Sequence, residues 1–222
     1  MNNNPKEIDI ARQRTSSVST SSGGGLAFNT QNKSIALHLN RSYGQVYFLI
    51  DCSASMAGYK LKEAKEGILD FARDAIRKDY LIGLIEFSSS ATVLCKPGQS
   101  LVFIQDCLKT MRASGSTNMA AAIEIANEAL KHLKCERALV IATDGLPNKV
   151  GATLKAGQEA KNNGIDIITI GTDDADQAFL KKLASRTDLG KKVTADQFAE
   201  GIASSAQLLP MLRRAPNTGE NL

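Results

Sequence analysis

Residues 48–60, FLIDCSASMAGYK, decide how the rest of the chain is read. Three apolar residues run into Asp51, and two hydroxyls follow at alternate positions, Ser53 and Ser55. A short apolar run is a buried strand, and a carboxylate at its end sits where the strand leaves the core. If the chain stays extended past Asp51, side chains two apart share a face. Asp51, Ser53 and Ser55 then face one point, while Cys52 between them turns into the core.

Working outward, strand and helix alternate. QVYFLID (45–51) is the first strand, and residues 60–78 follow as a helix with Leu61, Ala64, Ile68, Ala72 and Ala75 on one face and charges opposite. YLIGLIEF (80–87) is the second strand. ATVLC (91–95) follows after three serines, too short a link for a parallel crossover, so it forms an antiparallel hairpin with its predecessor. Residues 100–111 read as a helix capped by Ser100, and 119–133 as another, with Thr117 at its entry as a ligand, a cap or both. RALVIATD (137–144) is the next strand. A helix over TLKAGQEAKNNG, the strand IDIITIG, a helix at 176–187, the strand KKVT and a helix at 195–209 complete the series. This alternation gives an α/β fold, an open, doubly wound, mostly parallel sheet with helices on both faces. Ligands of such sheets bind beyond the carboxyl ends of the strands, where strand order reverses.

The folded unit is expected at 45–209. Residues 1–25 are polar and end in TSSVSTSSGGG, too little apolar surface to offset ordering, so they read as a flexible tail. Residues 26–44 form an N-terminal extension in which SIALHL (34–39) alternates as an edge strand would, and 210–222 form a C-terminal tail.

Composition excludes several functions. The chain has 222 residues, 43% of them hydrophobic, enough for one core plus tails. A net charge of +4, 5% aromatics and no basic block argue against nucleic-acid binding. No run is long enough to span a membrane. The N-terminal residues lack the apolar core of a secretory signal, so the expected setting is cytoplasmic. Cys52, Cys95, Cys107 and Cys135 form no CxxC pair and read as reduced, core-type thiols. Two histidines, His38 and His132, are thin stock for a zinc site or a Ser-His hydrolase. His132, late in its helix, is expected to face the helix carboxyl end.

Asp144 ends its strand as Asp51 does, and at a switch point the two lie side by side. Between them in sequence, ASGSTNMAA (113–121) is a small-residue loop opening a helix, with Thr117 at the entry. Taken singly, each of these residues has a plain reading: a cap, a turn former, an Asp-Gly turn. Together, Asp51, Ser53, Ser55, Thr117 and Asp144 form a set of hard oxygen donors suited to an octahedral Mg²⁺ (or Mn²⁺) with some waters.

These residues resemble the metal-ion-dependent adhesion site of von Willebrand factor A (VWA) domains. DCSAS matches its D-x-S-x-S, Thr117 in SGSTNM its threonine, and Asp144 in ATDGLPN its Asp-Gly. The resemblance covers about residues 45–209. It implies a six-stranded sheet with one antiparallel edge strand. It also implies direct metal binding by Ser53 and Ser55, direct or water-mediated binding by Thr117, and partly water-mediated binding by the aspartates. The remaining coordination position would take an exposed Asp or Glu of a protein partner. Intracellular members resembling this chain serve as adaptors or scaffolds beside AAA+ ATPases, kinases or phosphatases, or in stress-resistance systems. The rival class is a metal-dependent phosphatase-like hydrolase, but that resemblance calls for a second acid where Ser53 stands. A serine nucleophile would need a base, and no phosphate-binding G-x-x-x-x-G-K-[ST] loop is present. The expectation is a binding module, not an enzyme.

Overall fold

The computed structural model describes residues 43–212. The tail expected at 1–25 and the edge strand expected at 34–39 lie outside the described residues.

Six strands form one sheet: β1 (Gly44–Asp51), β2 (Tyr80–Phe87), β3 (Ala91–Cys95), β4 (Arg137–Thr143), β5 (Asp166–Thr172) and β6 (Gly190–Val193). Their order is β3-β2-β1-β4-β5-β6. β3 runs antiparallel to β2 and every other neighbouring pair is parallel, as the three-serine link requires. The chain winds from β1 outward to β3, then returns to β4 on the other side of β1. The switch point therefore falls between β1 and β4, whose carboxyl ends carry Asp51 and, one residue past Thr143, Asp144.

Seven helices cover this sheet among the described residues: α1 (Tyr59–Arg77), α2 (Leu101–Thr110), α3 (Met119–Leu130), α4 (Val150–Asn162), α5 (Gln177–Leu183), α6 (Phe198–Ser204) and α7 (Leu209–Leu212). β1 is central and alternates between two cores. Val46, Phe48 and Ile50 pack with α1, α2 and α6, whereas Tyr47 and Leu49 pack with α3, α4 and α5. The apolar face predicted for α1 is buried, and Phe71 beside it meets Phe48 edge to face, ring centres 5.2 Å apart. Gly67 lets α6 approach α1 closely: a Cβ there would lie 2.5 Å from the Ala199 carbonyl oxygen.

The helix ends differ from expectation where tertiary hydrogen bonds intervene. Ser100 caps α2 as expected, its hydroxyl accepting from Phe103 N–H at 3.2 Å. Thr117 does not cap α3; Asn118 does, its side-chain oxygen accepting from Ala121 N–H at 3.4 Å. α3 stops at Leu130, where the Arg137 guanidinium donates to the carbonyls of Leu130 and Lys131. Arg137 thus does the work expected of His132, which is exposed beyond the helix. α5 ends before 187 because Ser185 turns to β5, donating its N–H to Ile167 O and accepting from Ile167 N–H. The single helix expected at 195–209 is broken into 3₁₀ turns and α6. There Ser204 and Ser205 hydroxyls donate to the carbonyls of Gly201 and Ile202, a local competition that bends helices. Residues 209–212, read as the last helix turning into tail, form α7 with Leu209 buried.

Candidate metal site

Asp51, the last residue of β1, is fully buried. Its Oδ1 accepts from Ser53 N–H at 2.8 Å and its Oδ2 from the Thr143 hydroxyl at 2.6 Å. Burial pushes its carboxyl above the usual range; the bonds from Thr143 and Ser53 pull the other way, and the Asp144 charge adds to the rise. Past Asp51 the chain does not stay extended. Ser53 is extended, but residues 54–56 make a 3₁₀ turn, closed by Met56 N–H on Ser53 O and by burial of Met56. The two hydroxyls meet nonetheless, with Ser53 Oγ and Ser55 Oγ 3.1 Å apart.

Ser55 then donates to Asp144 Oδ1 at 2.8 Å. Four of the five expected residues are therefore linked: Asp51 through the Ser53 backbone, and Ser53, Ser55 and Asp144 through side chains. The loop carrying Thr117 lies against them. Ser114 N–H donates to Cys52 O at 2.7 Å, and Ala54 N–H donates to Gly115 O at 3.1 Å. Asn148 fixes Thr117 at both backbone groups, its side-chain oxygen accepting from Thr117 N–H and its own N–H donating to Thr117 O. The Thr117 hydroxyl takes no part in the hydrogen bonds among the other four. Cys52 points into the core as expected; burial, then the charges of Glu86 and Asp51, push its thiol up to about 12, so it stays protonated.

Sequence reasoning missed four contributors. Thr143 and Asn148 hold Asp51 and Thr117. Lys60, in the first turn of α1, places Nζ 2.7 Å from Asp144 Oδ2 and 3.4 Å from Asp173 Oδ2. Burial works against its charge, but the bonds and charges of the two aspartates outweigh it and raise the ammonium above its ordinary value. Asp173 could have been found: it follows β5 as Asp51 and Asp144 end their own apolar runs.

The donor chemistry suits a hard cation. Two buried carboxylates and two hydroxyls offer only oxygen, and both carboxylates sit where one cation would relieve their mutual repulsion. Among the described residues, no three His, Cys, Asp or Glu side chains gather into a metal cluster. A cation here would therefore rely on hydroxyls. Also among the described residues, no helix is long and apolar enough to cross a membrane.

The sheet order, with acids at the switch point, defines a doubly wound α/β domain with one antiparallel edge strand. The sequence profile of the von Willebrand factor type A domain matches residues 45–206, and the chain belongs to that family. It is 29% identical over 136 residues to human von Willebrand factor A domain-containing protein 5B1, a match covering 59% of this chain and 11% of that protein. This chain thus spans a small part of that relative's length. Among solved structures it is similar to the vWF domain of the type V pili tip protein Mfa5 from Porphyromonas gingivalis (TM-score 0.70, 14% identity, 77% of this chain and 96% of that one). It is also similar to proximal thread matrix protein 1 from the mussel byssus with a zinc-occupied MIDAS motif (TM-score 0.63, 17% identity, 75% and 46%). At these identities the structures establish the fold: a six-stranded mixed sheet with helices on both faces. Domains of this family commonly mediate protein–protein interaction.

Proposed function

We propose that this chain is a non-enzymatic binding module. It would use one divalent cation, Mg²⁺ or Mn²⁺, held by Asp51, Ser53, Ser55, Thr117 and Asp144, to take hold of an exposed Asp or Glu of a protein partner. The observation that carries this reading is the hydrogen-bonded run Ser53–Ser55–Asp144 beside buried Asp51. The mussel neighbour with zinc in the corresponding motif supports metal occupancy as such. The all-oxygen donors here favour a harder ion. When bound, the cation supplies a positive charge that neutral hydroxyls leave partly uncompensated, and so an attraction for an outside carboxylate.

The surroundings favour an acidic partner. A groove of about 360 Å³ opens beside Ala57 and Gly58, and Lys62, Lys65 and Arg112 line it. The loops beside the site, Met56–Tyr59, Asn118–Met119 and Gly145–Lys149, present exposed Tyr59 and Leu146 to a partner, whereas Met56 and Met119 are fully buried and hold the loops in place. We extend the reading to a cytoplasmic adaptor or scaffold, working with an AAA+ ATPase, a kinase or phosphatase, or a stress-resistance system.

The test is partner retention from a cell extract in Mg²⁺ against EDTA, with parent, Ser53→Ala, Thr117→Ala and Asp144→Ala. The reading expects retention that EDTA and each variant reduce. Equal retention throughout, by folded proteins, would show that any partner is held through another surface.

A further inference from the structure

We propose that Lys60 is a built-in counter-ion of this site and moves from Asp144 to Asp173 when a divalent cation binds. The inference rests on the cation-binding reading above and adds what sets the affinity. Asp144 is 2% exposed, yet both its oxygens are served without any ion: Oδ1 by the Ser55 hydroxyl and Oδ2 by the Lys60 ammonium. Asp51 is likewise served by Thr143 and Ser53. Both carboxylates thus have protein donors, and Asp144 has a protein cation.

A cation seated among Ser53, Ser55 and Asp144 would face the Lys60 charge at close range, where like charges repel strongly in a partly dry site. Lys60 already has a second, longer ion pair to shift onto. Asp173 Oδ2 is 3.4 Å away, at the carboxyl end of the next strand, and at 35% exposure it can hold the ammonium nearer to water. A lysine suits this role because its charge sits on a flexible four-carbon stem rooted in a fixed helix turn. Lys60 therefore weakens metal binding by occupying Asp144, and Asp173 eases binding by receiving the ammonium. Metal loading is coupled to the loop after β5.

The experiment is titration calorimetry with MgCl₂ alone on the full chain, in four forms: parent, Lys60→Met, Asp173→Asn and the double variant. Circular dichroism checks the fold, and Lys60→Gln replaces Lys60→Met if the latter does not fold. Lys60→Met should bind Mg²⁺ about tenfold tighter or more, about 1.4 kcal/mol. Asp173→Asn should weaken binding about fivefold in the parent but less than about twofold once Lys60 is gone, because the hand-over no longer exists. Binding by Lys60→Met where the parent shows none also supports the proposal. Equal affinity of parent and Lys60→Met, or an Asp173→Asn effect of the same size in both backgrounds, overturns it and leaves the cation-binding reading standing. No binding by any form overturns both.

Discussion

Two threonines at the ends of adjacent strands offer a matched pair. Thr143 ends β4 and Thr172 ends β5; both are fully buried. The Thr143 hydroxyl donates to Asp51 Oδ2 at 2.6 Å and accepts from Gly145 N–H at 3.3 Å. Among the described residues, the Thr172 hydroxyl has no hydrogen-bond partner. Valine keeps the branched shape and removes only the hydroxyl, so the two substitutions differ in what they strip. In Thr143→Val a buried carboxylate oxygen loses its donor, worth about 1.5–3 kcal/mol for a bond to a charged group, and Gly145 loses a weaker one worth about 1 kcal/mol. The expected loss is about 3 kcal/mol, or a fall of about 6–12 °C in Tm for a domain of this size. The Asp51 carboxyl would also rise further, since Thr143 is the strongest of the bonds lowering it. In Thr172→Val an unsatisfied buried hydroxyl disappears, so stability should hold or rise by about 1 kcal/mol. Urea unfolding followed by circular dichroism, in EDTA so that no ion contributes, reads both. A loss below about 0.5 kcal/mol for Thr143→Val, or equal losses for the two variants, would refute the claim that the Asp51 carboxylate is held by Thr143.

Three further expectations follow from the same structure. Ser100→Ala should cost about 1 kcal/mol in urea unfolding by removing the α2 cap; no change would mean the cap is idle. Gly67→Ala should cost about 1–2 kcal/mol net, because the gain in helix preference is outweighed by the clash with the Ala199 carbonyl oxygen; a stabilised protein would contradict the close contact of α1 and α6. Burial raises the Asp166 carboxyl, with Ser185 and Arg186 pulling the other way. The native state therefore keeps that proton to higher pH than the unfolded chain, and this group's contribution to stability falls as pH rises from 3.8 through the raised value. The urea midpoint of Asp166→Asn, relative to the parent, should climb over that window and then level off; a pH-independent difference would contradict the shift.

The sheet was legible because its signals are local and redundant. Apolar runs such as FLI before Asp51 and LVIA before Asp144 mark strands buried on both faces, and the three-serine link settles the direction of β3. The placement of Asp51 and Asp144 follows from topology alone. Partners chosen across the fold were not legible. Nothing near Thr117 in sequence shows that Asn148, on another loop, holds it, whereas the cap at Asn118, directly before the helix, is a choice the local sequence does offer. Nothing around residue 132 shows that Arg137, on a strand, closes α3. Serine is ambiguous in the same way: Ser100 caps a helix, Ser185 leaves one for a strand, and Ser205 bends one, each according to the carbonyl or N–H within reach. Lys60 reads in sequence as one more charge on a solvated helix, and only the close approach of two strand ends makes it part of the site.

The central claim, one hard cation seated on the serine hydroxyls at the switch point, is tested most directly by anomalous diffraction from crystals grown with MnCl₂. The account predicts a single strong peak in contact with Ser53 Oγ and Ser55 Oγ, at about 2.0–2.3 Å as hard-cation oxygen ligation requires. The same peak should be absent from Asp51→Ala crystals grown alike. No peak there at saturating Mn²⁺, or a peak held by other residues, would contradict the account.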